Sequence, residues 1–281
     1  MNNNQPRRTP PKAVRRKSKK KKLNPMFVVM MLALFAVIFT LLFVYFSVGY
    51  RYITCDNGTK FLGIVKQDIP TKGTVYYTDG TKSELKLEDN AIVYENGDKY
   101  SGEIKNLMRH GKGVMTYADG NVYDGDFFND QMTGAGVLTY KNGDKYEGEF
   151  LNGERNGQGT YTWTDESGTS SYTGTFKNNM KDGEGTYTWS DGAVYTGTFV
   201  NNVKSGKGVY HFANGDKYEG DFVDDKRTGT GVYTWASGDR YEGEFSDNKL
   251  NGKGKYIWAS GREYEGYFKD NAIEVTEEQP Q

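Results

Sequence analysis

The 281-residue chain is rich in Gly (36) and Tyr (22), poor in Pro (6), and carries 15% aromatic residues at a formal net charge of −1. This composition excludes a large Leu/Ile/Val core and favours short strands joined by tight turns. A single Cys excludes an intramolecular disulfide, and two His leave little from which to build a triad or a metal site.

The small net charge hides an asymmetry along the chain. Residues 1 to 22 hold ten Lys/Arg and no acid, while the part after residue 50 holds 26 basic against 37 acidic residues, a net of −11. The first 25 residues read as a basic, disordered cytoplasmic tail. They precede "MFVVMMLALFAVIFTLLFVYFSV", residues 26 to 48, an uncharged run long enough to cross a bilayer as a helix. The run exceeds the apolar stretch of a cleaved signal peptide, and no small-residue cleavage site comes after it. It reads as an uncleaved signal anchor starting at Asn24-Pro25, with Tyr45 and Tyr50 at an interface. The positive-inside rule then keeps the N-terminus cytoplasmic and places residues 51 to 281 on the extracytoplasmic side. Beyond the span, Asn57-Gly58-Thr59 is a glycosylation sequon, and Cys55 offers an intermolecular bridge beside the membrane.

A repeat governs the rest of the chain. Tyr100, Tyr123 and Tyr146 are 23 residues apart, and Tyr172, Tyr195, Tyr218, Tyr241 and Tyr264 resume that period after three extra residues around "TDESGTSS". With each of these Tyr at position zero, position two is always Gly and position four is Ile104 once and Phe thereafter. Positions eleven and thirteen are both Gly, from Gly111/Gly113 to Gly252/Gly254, and all four Trp fall at position seventeen. Positions zero, two and four share one face of a strand, and positions thirteen, fifteen and seventeen share it on the next. That face is aromatic. The other carries residues such as Glu147, Glu149, Thr160 and Thr162. Each Gly leaves a notch over which a neighbouring ring can lie. Pairs such as Asn142-Gly143 and Asp191-Gly192 are expected to make the tight, positive-φ hairpin turns, with a longer loop between positions four and eleven.

"YEGEF…NGQGTYTW" at residues 146 to 163, with its copies, resembles the MORN (membrane occupation and recognition nexus) repeat. The resemblance is dense from residue 94 to 270, with repeats proper over 100–270. Residues 51–99 read as degenerate copies that cap the end, with Phe61 standing for the Tyr. Residues 271–281 read as an acidic, disordered tail. The resemblance implies an all-β repeat fold: an elongated, curved, single-layer antiparallel sheet of about eight to nine stacked β-hairpins, here added to one transmembrane helix. It also implies membrane association, lipid contact and self-association. Some family members join their repeats to a phosphoinositide kinase domain, to which nothing in this sequence corresponds.

Enzymatic motifs are missing. The G-x-G pairs are not followed by the helix of a nucleotide-binding loop. His110 (expected in a loop) and His211 (expected on the polar face) do not converge. The acidic pairs Glu147/Glu149 and Glu219/Asp221 lie on the solvated face, where nothing raises a pKa for catalysis. The chain is therefore expected to be a non-enzymatic, membrane-anchored scaffold or interaction module, with no cofactor, no metal and no nucleic-acid partner. Its candidate groove residues are Tyr123, Phe127, Tyr146, Phe150, Tyr161, Trp163, Tyr172, Phe176, Tyr187, Trp189, Tyr195, Phe199, Tyr218, Phe222, Tyr233, Trp235, Tyr241, Phe245, Tyr256 and Trp258. Many of these rings are also expected to form the core, because a one-layer sheet has no other. The expected partner is an unidentified protein or a second copy of the chain, with a carbohydrate, cell-wall or lipid-headgroup ligand as the alternative.

Overall fold

The computed structural model describes residues 24 to 274, apart from 56, 57, 68, 79, 81, 89, 90, 106 and 107. The basic arm, the Asn57 sequon and most of the acidic tail lie outside the described residues. The chain forms two compact units, divided after Tyr50.

The first unit holds the helix Pro25–Ser47, of 23 residues, with mean hydropathy 3.0 and no buried residue. Asn24 caps it, its Oδ1 accepting from the Met26 amide at 3.0 Å, and Pro25 occupies the first turn, where its missing N–H costs nothing. By length and composition this helix can cross a membrane.

The second unit is a single open antiparallel sheet, in which the described residues form 21 strands. Each strand pairs with the next in the chain, so the topology is a meander. A shorter and a longer strand alternate, as in Lys217–Val223 followed by Lys226–Thr234. Residues 51–99 continue the same sheet with their own small core of Phe61, Val75, Leu85 and Ile92. Cys55 is buried as well. The three-residue insertion lengthens one hairpin, extending the ladder through Trp163↔Ser170 and Thr164↔Thr169 to Asp165↔Gly168.

The two hairpin turns differ from the expectation, and the difference is physical. The loop expected between positions four and eleven is a two-residue turn. Asn178 and Asn179 have φ of 47° and 68°, and Asp224 and Asp225 have 49° and 65°. Positive φ at both residues is the type I′ signature, and Asn and Asp tolerate it better than other non-glycine residues. At the opposite end only the Gly takes positive φ. Gly143 (φ 93°) donates to the Tyr140 carbonyl at 2.9 Å, and Asn142 Oδ1 accepts from the Asp144 amide at 3.1 Å. The Asn142-Gly143 pair thus supplies an Asx-stabilised turn with a glycine bulge, while the I′ turns at positions six and seven fall at Asn-Asn, Asp-Asp, Asp-Asn, Asn-Asp and, at Asn152-Gly153, at Asn-Gly itself.

Register explains the glycines at positions two and thirteen. Gly148 pairs with Gly159, Gly159 with Gly174, and Gly174 with Gly185, and the row of glycines continues across the sheet to Gly266. The ring that covers this bare backbone belongs to the Tyr of the same repeat, not to a neighbour. A Cβ built on Gly159 would lie 2.4 Å from the Tyr146 hydroxyl. That hydroxyl donates to the Glu149 carbonyl at 2.9 Å, and Tyr123, Tyr172 and Tyr218 repeat the contact. Position eleven has a different need: Gly157 and Gly183 sit at φ of 104° and 111°, within the strand-register shift.

Candidate interaction surface

The aromatic face divides into two sets. Tyr123, Phe127, Tyr146, Phe150, Tyr172, Phe176, Tyr195, Phe199, Tyr218, Phe222, Tyr241 and Phe245 are all at most 4% exposed. They interlock as a continuous edge-to-face zipper. Tyr146 meets Phe150 of its own repeat and Phe176 of the next at 5.1 Å each, and Tyr195 meets Phe199 at 5.2 Å and Phe222 at 5.0 Å. Each such pair adds about 0.5–1.5 kcal/mol beyond the area it buries. These rings hold the repeats together.

The second set lies over the first. Tyr161, Trp163, Tyr187, Trp189, Trp235 and Tyr256 are half-buried and pack against the core from outside, half-buried Trp258 stacks on Tyr256, and Tyr233, at 9% exposure, belongs to the core itself. They form their own row: Trp163 against Tyr187 at 5.2 Å, Trp189 against Tyr210 at 5.1 Å, and Trp235 against Tyr256 at 5.2 Å. Of the residues expected to line a groove, only this set offers ring surface to a ligand.

Along the row run basic side chains that were not among the expected groove residues. Position nine is Arg109, Met132, Arg155, Lys181, Lys204, Arg227 and Leu250 in successive repeats. Register pairs it across from the core ring, as in Phe150↔Arg155 and Phe176↔Lys181, so it shares the aromatic face. Arg155 lies 5.0 Å from the Tyr161 ring centre, Lys181 4.6 Å from Tyr187, Lys204 5.3 Å from Tyr210 and Arg227 5.1 Å from Tyr233. The signal was present in the sequence. Position nine has the same parity as thirteen, fifteen and seventeen, but a loop expected there hid it.

Partnering is uneven along this row. Arg109 is paired with Asp130 at 3.2 Å, and Lys204 reaches Asp225 at 3.7 Å. The equivalent turn residue for Lys181 is the neutral Asn202, and among the described residues no carboxylate lies within ion-pair distance of Lys181. On the other rim Tyr161, Tyr233 and Tyr256 donate to Asp144 at 3.0 Å, Asp216 at 2.6 Å and Asp239 at 3.2 Å. In the two intervening repeats that acidic place is taken by Ser170 and Ala193. The middle of the row is therefore its most positive part. Burial lowers the pKa of both Lys181 and Lys204 below the ordinary lysine value. A depression of 340 Å³ opens there, lined by Asp144, Trp163, Lys181, Tyr187 and Asn202 among others.

The opposite face carries a larger, shallow depression of 800 Å³, lined by Glu184, Thr196, Lys207, Glu219, Thr230 and Glu242 among others, with no aromatic ring in its lining. The Glu147 and Glu219 carboxyls of this face are held below the usual carboxylate range by the hydrogen-bonded Lys145 and Lys217. That is the reverse of what a general acid needs. Threonines pair across it, as in Thr160 with Thr173 at 3.0 Å. His211 is exposed in the strand Val203–His211. His110 lies in the strand Met108–Thr116 rather than in a loop, 5.2 Å from Phe128, its Nδ1 buried without a hydrogen-bond partner.

The MORN repeat family model matches seven times, at residues 100–122, 123–145, 146–168, 172–194, 195–217, 218–240 and 241–261, more than half the chain. The chain belongs to the MORN repeat family. The seven matches begin at the seven core tyrosines from Tyr100 to Tyr241. No curated protein sequence matches this MORN chain. Among solved structures, it is similar to the TCP10 domain of Danio rerio CPAP in complex with a STIL peptide, at 15% identity and a TM-score of 0.29, over 80% of this chain and 96% of that one. A streptogramin B lyase aligns at 17% identity and a TM-score of 0.14, over 80% of this chain and 71% of that one.

Proposed function

We propose that this MORN protein is a non-enzymatic interaction module held at a membrane by its N-terminal helix. The half-exposed Tyr–Trp row with its position-nine cations is its partner-binding surface. The observation that carries this reading is the division of labour among the rings. The core tyrosines and phenylalanines already interlock the repeats, so the half-exposed faces of the outer row are available for contact. Tyr, Trp and Arg are the side chains that dominate protein interfaces, because they bring large rigid area at small entropic cost.

The helix supports the anchoring part of the reading, its length and hydropathy suiting a single span. The ten basic residues before it favour a cytoplasmic N-terminus and extracytoplasmic repeats. The module's net charge of −11 disfavours a second attachment of the repeats to an anionic bilayer.

Site-specific photo-crosslinking on the full-length chain in its native membranes tests the surface. A crosslinker at Tyr161, Tyr187 or Trp235 is expected to give discrete adducts, and one at Thr160 or Thr186 on the opposite face is expected to give none. Adducts from the opposite face alone, or from neither, would overturn the assignment.

A further inference from the structure

The charge on the trough floor narrows the kind of partner, an inference that rests on the outer row being an interaction surface and deepens it. Position nine does not need a cation in order to fold, since Met132 and Leu250 fill the same register with apolar side chains. Yet five of the seven repeats place Lys or Arg there, over aromatic rings and partly withdrawn from water. A cation in that setting loses hydration, which is unfavourable unless an anion restores it. For Lys181 no carboxylate of this chain lies within ion-pair distance among the described residues: Asp225 acts on it only from further off, the turn acid is replaced by Asn202, and the rim acids by Ser170 and Ala193.

We propose that the trough from Arg155 to Arg227 binds an acidic polypeptide segment, its carboxylates seated on the position-nine cations and its apolar side chains on the Tyr–Trp row. The cations recur every second strand, a spacing of about 10 Å for strands roughly 4.8 Å apart. An extended, polyproline-II-like segment with an acid at every third residue keeps its acids on one side and matches that spacing at about 3.1 Å per residue. So does a helix with an acid at every seventh, at about 1.5 Å per residue. A discrete segment fits better than an anionic bilayer, because the positive charge is confined to one narrow row of a unit carrying net −11.

The test uses the full-length chain in phosphatidylcholine nanodiscs, with Trp fluorescence as the readout, since Trp163 and Trp189 flank Lys181 and Lys204. Four synthetic peptides are titrated: Leu-containing sequences with Glu at every third or every seventh residue, and their Glu→Gln counterparts. At least one acidic peptide is expected to bind. Its affinity should fall roughly tenfold or more in the Gln version and in Lys181→Met, the size expected for one charge-assisted contact. Lys181→Met should keep or raise the melting temperature, because it removes a desolvated charge and copies Met132. Lys204→Met is the second variant should the first fold poorly. Equal binding of Glu and Gln peptides would overturn the charge assignment while leaving the trough an interaction surface. Binding by no peptide, or undiminished binding to both Met variants, would overturn the proposal. So would a Lys181-dependent response to phosphatidylserine nanodiscs, or to a second copy of the chain, in place of the peptide.

Discussion

Tyr146 stands edge-on to Phe176 of the following repeat, ring centres 5.1 Å apart and planes at 85°. The contact is the buried aromatic link between two repeats that are also joined by the Trp163–Tyr187 stack and the Asn179–Arg155 clasp. Phe176→Ala is therefore expected to destabilise the sheet by about 3–5 kcal/mol, the range for truncating a buried Phe. Because each repeat touches only its neighbours, the loss should be local. Hydrogen exchange should accelerate around residues 146 to 199 and change little near Tyr241. Uniform acceleration would mean that the sheet unfolds as one unit.

Two glycines separate crowding from backbone conformation. Gly159→Ala drives a methyl group into the Tyr146 ring and is expected to cost about 1–3 kcal/mol through overpacking, with displacement of the ring. Gly143→Ala meets nothing within 4 Å and carries only the strain of its φ of 93°, about 1 kcal/mol. Denaturant unfolding of both variants checks the order. A cost for Gly143→Ala above that for Gly159→Ala would contradict the ring-over-backbone packing.

The turn residues clasp one repeat to the one before. Asn179 Oδ1 accepts from the Arg155 amide at 3.0 Å, and the Asn179 amide donates to the Arg155 carbonyl at 3.0 Å. Asn179→Ala removes the first bond and places Ala at a φ of 68°, so a loss of about 1–2 kcal/mol is expected. Asn178→Gly, at the other turn position with φ 47° and no clasp to the Arg155 backbone, should be neutral within about 0.5 kcal/mol. Thermal melts of the pair distinguish the two roles.

Alkaline pH should unfold the sheet steeply. Burial raises the Tyr146, Tyr172 and Tyr241 phenols from 10 to about 12, and pushes Tyr123, Tyr195 and Tyr218 up as well. A folded pKa above the unfolded value means that the unfolded chain releases its proton first as pH rises. The stability is thus complete below pH 10 and is lost between 10 and 12. Tyrosinate absorbance and loss of β-sheet circular dichroism should rise together in that window. Titration of all tyrosines near pH 10 with the sheet intact would contradict the buried hydroxyls.

Much of this was legible from the period alone. Tyr, Gly and Phe at zero, two and four define strand, face and core, because a side-chain period of two leaves no freedom once one face is buried. Turn type was not legible in the same way. Asn142-Gly143 carries the usual I′ pair yet makes a bulged turn, while Asn178-Asn179 makes the I′ turn, because register across the glycine row decides which pair bridges two residues. Moving the tight turn to positions six and seven draws Arg155, Lys181, Lys204 and Arg227 out of a supposed loop and onto the aromatic face. Burial is the other part that pattern cannot give. Tyr146 and Tyr161 are alike in sequence and face each other in register, but only Tyr146 lies down over the Gly148–Gly159 backbone.

The division between folding rings and binding rings can be measured in place. Oxidative footprinting of the full-length protein in its native membranes, compared with the purified chain in nanodiscs, reads the exposure of each ring. Tyr161, Trp163, Tyr187 and Trp189 are expected to be selectively protected in native membranes, with Phe128 and Tyr267 on the opposite face labelled equally in both. Equal labelling of the Tyr–Trp row in the two settings, or protection of Phe128 and Tyr267 instead, would contradict a binding role for the outer rings.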